Sequence, residues 1–219
     1  MTLNRITLLR LSALATALLA LAVPLLGALF LPDYSHLADT ISELGAFGTP
    51  TRNWVNYAGF LPIGLLVLVF VVLASPLLGN NRRAKVGLYM LLGIAVGYLG
   101  AVLAPCDTGC PAVGTTRQAI HNSLGLIEYL GGGIGLILFS RAYFRERKQR
   151  FGHVFLVSAG ILTLLALLLM MAPLNPDHLG LNQRIAELCL FSSLVVIAWI
   201  LPQTSPGQDK PGNDTQVPG

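Results

Sequence analysis

Six long apolar blocks account for most of the chain, near residues 8–31, 55–74, 86–104, 119–140, 154–172 and 185–201, and the polar residues gather in the gaps between them. A helix needs about 20 predominantly apolar residues to cross a hydrocarbon core about 30 Å thick, so each block has the length of a membrane span. The pattern predicts an all-α fold: a polytopic transmembrane bundle of six helices over residues 1–202, with nothing left over for a soluble domain. Residues 203–219, rich in Pro, Gly, Asp, Asn, Gln and Thr, are expected to form a disordered cytoplasmic tail. Arg5 and Arg10 ahead of the first block resemble the start of a signal peptide. Apolar character persists from Leu11 to Leu31, however, beyond the roughly 7–15 residues of a cleaved signal, so an uncleaved first span is expected.

The first gap carries a second, shorter pattern. Ser35 can cap a helix and Gly45 can end it, and between them His36, Asp39 and Glu43 fall at i, i+3 and i+7, opposite Leu37, Ile41 and Leu44. A short amphipathic helix is therefore predicted in this first outer loop, with its apolar side against the bundle. Small residues recur every fourth position in Gly93, Gly97 and Ala101 and in Gly131 and Gly135, a spacing that lets helix backbones approach closely in lipid.

Composition agrees with the membrane assignment: 54% of residues are hydrophobic and 11% charged, far from a soluble domain. The distribution of charge sets the orientation. Of the 14 Lys and Arg residues, Arg5, Arg10, Arg82, Arg83, Lys85, Arg141, Arg145, Arg147, Lys148, Arg150 and Lys210 occupy alternate gaps, leaving Arg52, Arg117 and Arg184 for the others. Positive charge stays on the cytoplasmic side, so both termini are expected there, in a plasma (bacterial inner) membrane. Basic residues at helix ends meet anionic lipid, and nothing beyond charge points to nucleic acid; the expected partners are membrane lipids.

With that orientation most of the remaining polar chemistry collects in the outer half. Cys106 and Cys110 flank a short turn where disulfides persist, and a disulfide is favoured there over a metal or redox role. Cys189, alone in the sixth span, is read as a packing residue. Glu128 falls near the middle of the fourth span among Leu126, Ile127, Leu130 and Ile134, where a carboxylate is costly unless paired or solvated. His121 lies two helical turns above it on the same face, so the two are expected to line one polar shaft. Arg184 and Glu187, at i and i+3 where the sixth span begins, are expected to pair. His36, His121, His178 and Asp39 offer the ligand types of a zinc site, but no two histidines lie within a turn of each other, and no cofactor is favoured.

The stretch from Ser35-His36-Leu37-Ala38-Asp39 to Ile41-Ser42-Glu43-Leu44-Gly45, with Pro105-Cys106-Asp107-Thr108-Gly109-Cys110-Pro111 and Ile120-His121-Asn122, resembles the prokaryotic integral membrane family known as domain of unknown function 998. That resemblance covers nearly the whole chain apart from the tail and implies six helices with no assigned activity. The expected function is binding of a lipid or small amphiphile, without transport, in an outer pocket lined by His36, Asp39, Ser42, Glu43, His121, Glu128, Arg184 and Glu187. The alternatives are an intramembrane zinc-dependent lipid hydrolase, with Asp39 or Glu43 as base, and a proton-coupled transporter using Glu128.

Overall fold

The computed structural model describes residues 4–145, 147–172 and 176–201; the expected tail 203–219 lies outside them. Every regular element among the described residues is helical. Among the described residues six helices are long and apolar enough to cross a membrane: α1 (Arg5–Ala28), α2 (Arg52–Leu78), α3 (Arg82–Leu103), α4 (Thr116–Arg145), α5 (Arg150–Met171) and α6 (Leu179–Ile200). Several outrun their apolar blocks by about a turn because polar caps extend them. Asn4 accepts from the Thr7 N–H at 2.8 Å, Asn81 from the Ala84 N–H at 3.0 Å, and Thr115 caps α4 through Gln118.

Each helix packs on its successor, and α6 returns to α1, so the six close into a ring in sequence order, with α4 and α6 also touching. At the α3–α4 contact Gly131 sits with its Cα against Gly93, and a side-chain carbon at Gly131 would fall 2.8 Å from the Met90 carbonyl. The four-residue spacing of small residues thus serves close packing, as in other lipid-embedded helix pairs. α2 is locally irregular. A widened π turn at Val55–Phe60 precedes Pro62, which has no N–H to give to the preceding turn. That turn aims the Asn56 amide at the Gly45 carbonyl, 2.9 Å away, and Phe60 toward α3.

We call the end of the bundle that carries residues 29–51 and 104–115 the upper end. The lower half has a largely apolar core: Leu9, Phe70, Leu88, Leu136, Phe139, Tyr143, Phe144, Leu156, Leu194 and Ile197 are all fully buried. Phe139, Tyr143 and Phe144 pack ring on ring with centroids 5.3–5.7 Å apart. Ser140 is bonded to His153 at 2.9 Å, which gives that histidine a structural partner between α4 and α5.

The predicted amphipathic helix in the first upper loop is replaced by two separate turns. Asp39 N–H closes on the Ser35 carbonyl at 2.7 Å, Thr40 is extended, and a 3-10 turn follows at Ile41–Gly45. The side chains that suggested a helical face are what break it. The Asp39 carboxylate accepts from the Ser35 N–H at 2.6 Å, and the Glu43 carboxylate accepts from the Thr40 N–H at 2.9 Å and its hydroxyl at 3.1 Å. Each acid satisfies the start of its own short turn, so the chain restarts at Thr40 rather than running through. Ile41 and Leu44 are nonetheless buried against the bundle, as the apolar pattern required.

Candidate functional site: a polar-floored cavity in the upper half

A cavity of about 480 Å³ lies in the upper half, bounded by α3, α4, α5 and α6 and roofed by residues of both upper loops. Glu128 stands twelve residues below the start of α4, about 18 Å along the helix axis. It lines the cavity with Glu187, one acid on α4 and the other on α6. Tyr98 donates to Glu187 Oε2 at 3.0 Å and Tyr129 to Oε1 at 2.7 Å. Gln183, one turn above Glu187, donates to the Tyr129 hydroxyl at 3.1 Å, and its carbonyl accepts the Ile41 N–H at 2.6 Å. The network thus runs from the first upper loop through α6 and α4 to α3.

Glu187 is satisfied at both oxygens. Glu128 is not: the residue is 6% exposed, and its Oε1 has no hydrogen-bond partner. Its carboxyl reaches that of Glu187 within hydrogen-bonding range. Ionised carboxylates only accept, so a bond between them needs one proton held between the two groups. Gly97 makes this geometry feasible, since a Cβ there would lie 2.6 Å from the Glu128 Cβ and 2.7 Å from its carboxyl carbon. The walls are mostly apolar, with Phe60, Ala101, Leu126, Leu167, Met170 and Leu179. Asn122, Ser123, Leu126 and Met171 both line the cavity and are exposed, so it reaches the bundle surface on the α4–α5 side. Below that opening α4 and α5 meet backbone to backbone at Gly133 and Gly160.

His121 stands higher in the same cavity. Its Nδ1 lies 3.0 Å from the Ala104 carbonyl, which can only accept, so Nδ1 carries the hydrogen and Nε2 keeps a free lone pair. His121 and Glu128 line the same cavity, with Ser42 also on the wall and accepting from Gln183 at 3.4 Å.

The other predicted site residues are elsewhere. Asp39 and Glu43 hold the turns described above, and burial lifts the Glu43 carboxyl above its ordinary range against the opposing Thr40 bonds. Arg184 does not pair with Glu187. Its guanidinium donates to the Asp39 carbonyl at 2.9 Å, the Gly180 carbonyl at 3.0 Å, the Tyr34 hydroxyl at 2.6 Å and His36 Nδ1 at 3.0 Å. Glu187 is held instead by the two tyrosines, and the arginine, nearly one turn higher, finds carbonyls and a ring nitrogen in the loop above it. This is a fork-shaped clamp that fastens the first upper loop to α6. Backbone bonds from Gly180 N–H to Ala38 and from Leu181 N–H to Leu37 reinforce it, at 3.0 and 2.9 Å. Burial raises the Tyr34 hydroxyl to about 12, and burial followed by the adjacent guanidinium lowers His36, so both stay neutral within the clamp.

The four candidate zinc ligands are not assembled: His36 is engaged by Arg184, Asp39 caps its turn, His121 lines the cavity and His178 is exposed before α6. Among the described residues, Cys106, Cys110 and His121 do have potential ligand atoms within 4.8 Å of one another. Both sulfurs are committed to the Cys106–Cys110 disulfide, so no thiolate is present there. The disulfide loop is bound to its surroundings through Asp107, which accepts from Thr115 N–H at 2.8 Å and pairs with Arg117 at 2.6 Å. The Thr115 bond, with Arg117, holds that carboxyl below its ordinary range. Phe47 lies under both Arg117 and Arg52, 4.1 and 4.8 Å from their guanidinium carbons to the ring centre, joining the first upper loop to the starts of α2 and α4.

Tyr98, Tyr129, Gln183, Gly97 and Phe60 were not singled out from the sequence. The signals were slight: a tyrosine within a span needs a partner for its hydroxyl, Gln183 lies one turn from Glu187, and Gly97 sat inside a packing motif.

The fold and cavity define a multi-pass membrane protein with a polar-floored chamber in its upper half that opens sideways between α4 and α5. The family model described as Protein of unknown function (DUF998) matches residues 14–200, and the chain belongs to that family. No curated protein and no solved structure matches it.

Proposed function

We propose that this protein binds a small membrane amphiphile in the upper cavity, taken up from the leaflet between α4 and α5, with the upper end facing away from the cytoplasm. The observation that carries the reading is the cavity itself: apolar walls leading to a floor where Glu128 has an oxygen without a partner. An apolar chamber with few convergent polar groups is the usual form of a small-molecule site. Orientation in a plasma membrane follows from the cations, since Arg5, Arg10, Arg82, Arg83, Lys85, Arg141, Arg145, Arg147, Lys148 and Arg150 lie at or near the lower ends of the helices. The disulfide at the upper end agrees with an oxidising compartment.

Binding is favoured over transport by the lower half, where the buried rings of Phe139, Tyr143 and Phe144 fill the core in close ring-on-ring packing. Among the described residues His36, Asp39, His121 and His178 are not brought together as a zinc ligand set, so the hydrolytic reading has less support. The test is native mass spectrometry of purified protein. Wild type should retain an amphiphile that Gly125→Phe loses, because a side-chain carbon at Gly125, which lines the cavity, meets nothing within 4 Å. Equal retention by a folded Gly125→Phe protein would contradict the reading.

A further inference from the structure

Resting on that reading, we propose that the polar end of the bound amphiphile is a protonated primary amine, held by Glu128 at the cavity floor. Three features converge on this chemistry. Glu128 is buried, lines the cavity, and leaves Oε1 unbonded, whereas both oxygens of Glu187 already hold tyrosine hydroxyls. Among the described residues no lysine or arginine lines the cavity, and the Arg117–Asp107 ion pair lies above it, at the second loop. A buried carboxylate is costly unless paired, so the partner for Glu128 has to come from a proton or from a ligand.

The aromatic lining adds to the preference. Phe60 and Tyr98 both border the chamber, their ring centres 5.5 Å apart and nearly perpendicular, and Tyr98 meets Phe191 edge-on at 5.6 Å. Aromatic rings bordering a carboxylate favour an organic cation over a neutral group of the same size. The same inventory argues against a phospholipid headgroup, since an anionic phosphate entering with the amine would find two carboxyls and no positive side chain on the walls. An alkyl tail lying along Leu126, Leu167, Met170 and Leu179 would lead out toward α4 and α5. The ammonium N–H donates to Glu128 Oε1, the oxygen that the contact with Glu187 leaves unbonded.

The experiment compares four probes with one tail on the purified full chain in nanodiscs: dodecylamine, which is cationic at neutral pH, dodecanol, dodecyltrimethylammonium and lyso-phosphatidylethanolamine. A charge-assisted hydrogen bond corresponds to about tenfold or more in affinity. Dodecylamine should therefore bind at least tenfold more tightly than dodecanol, and more tightly than the trimethyl compound, which has charge but no N–H. Glu128→Gln should bring the amine-to-alcohol ratio close to one, and Gly125→Phe should weaken both probes together. Equal affinity for amine and alcohol in the wild type, or an amine preference that survives in Glu128→Gln, would overturn the amine assignment while leaving the cavity reading intact. Preferred binding of lyso-phosphatidylethanolamine would overturn the free amine in favour of a lipid headgroup. Amine binding unaffected by Gly125→Phe would move the site elsewhere and overturn both. Should Glu128→Gln fold poorly, Glu128→Asp, which shortens the reach, must lower the ratio as well.

Discussion

Replacing Gly97 by alanine probes the cavity floor with a single methyl group. The added carbon would collide with Glu128 Oε2, and would lie 2.6 Å from its Cβ and 2.7 Å from its carboxyl carbon. A clash with the carboxyl alone could be relieved by rotating the side chain, but the contact with Cβ cannot, because Cβ is fixed to the α4 backbone. Overpacking of this kind costs about 1–3 kcal/mol. Alanine also gains about 0.8–1.0 kcal/mol over glycine in a helix, so the net loss is smaller than the clash itself. Gly125→Ala provides the comparison: it is also helical and lines the cavity, but its new methyl meets nothing within 4 Å. Gly125→Ala should keep the helix gain, and Gly97→Ala should fall below it by the full clash, about 1–3 kcal/mol. For a chain of this size that difference corresponds to about 2–4 °C per kcal/mol in thermal unfolding. Melting of the two variants side by side in one detergent reads it. A Gly97→Ala protein as stable as Gly125→Ala would refute the close fit between Gly97 and Glu128.

Three further expectations concern the upper end and the orientation. Arg184→Ala should free the first loop, raising amide exchange across residues 34–45 at a cost of about 1.5–3 kcal/mol, with Arg184→Lys restoring little because one ammonium cannot span both branches of the clamp; unchanged exchange would remove the clamp. Asp107 is held below its ordinary value of 3.8, so its stabilising effect is present above that pH and is lost as the pH falls through the lower folded value. The melting difference between wild type and Asp107→Asn should accordingly shrink in acid below that point, and a difference independent of pH would show the Thr115 and Arg117 bonds to be without effect. Reporters fused at the C-terminus and inserted after Gly45 should lie on opposite sides of the membrane, the C-terminal one cytoplasmic, and finding both on one side would remove the argument for an outer face altogether.

The architecture was legible because the physics behind it is local: an apolar run of span length has one stable solution in lipid, and cations near its ends orient it. Glu128 and His121 were legible for a similar reason, since a polar group within a span stands out, and their spacing on one helix fixes their common face. The first loop was misread because Asp39 and Glu43 have the spacing of a helical face and also the chemistry of turn caps, and capping prevailed. Arg184 and Glu187 were misread because i, i+3 geometry permits a pair that distant partners outcompeted. The bond from Ile41 to Gln183 joins residues 142 apart, and the tyrosines that hold Glu187 come from two other helices. Such contacts leave no periodic trace in a single sequence.

The central claim is that an amphiphile occupies the upper cavity, and the most direct measurement is to map where one crosslinks. A dodecanol-based probe with a diazirine at the end of its chain, photolysed on the protein in nanodiscs and located by peptide mass spectrometry, should mark Leu126, Leu167, Met170 and Leu179, which line the chamber. Excess unlabelled dodecanol should suppress those adducts. Labelling confined to exposed lipid-facing positions such as Leu18, Leu21, Leu25 and Val72, and insensitive to competitor, would show that the cavity holds no such ligand.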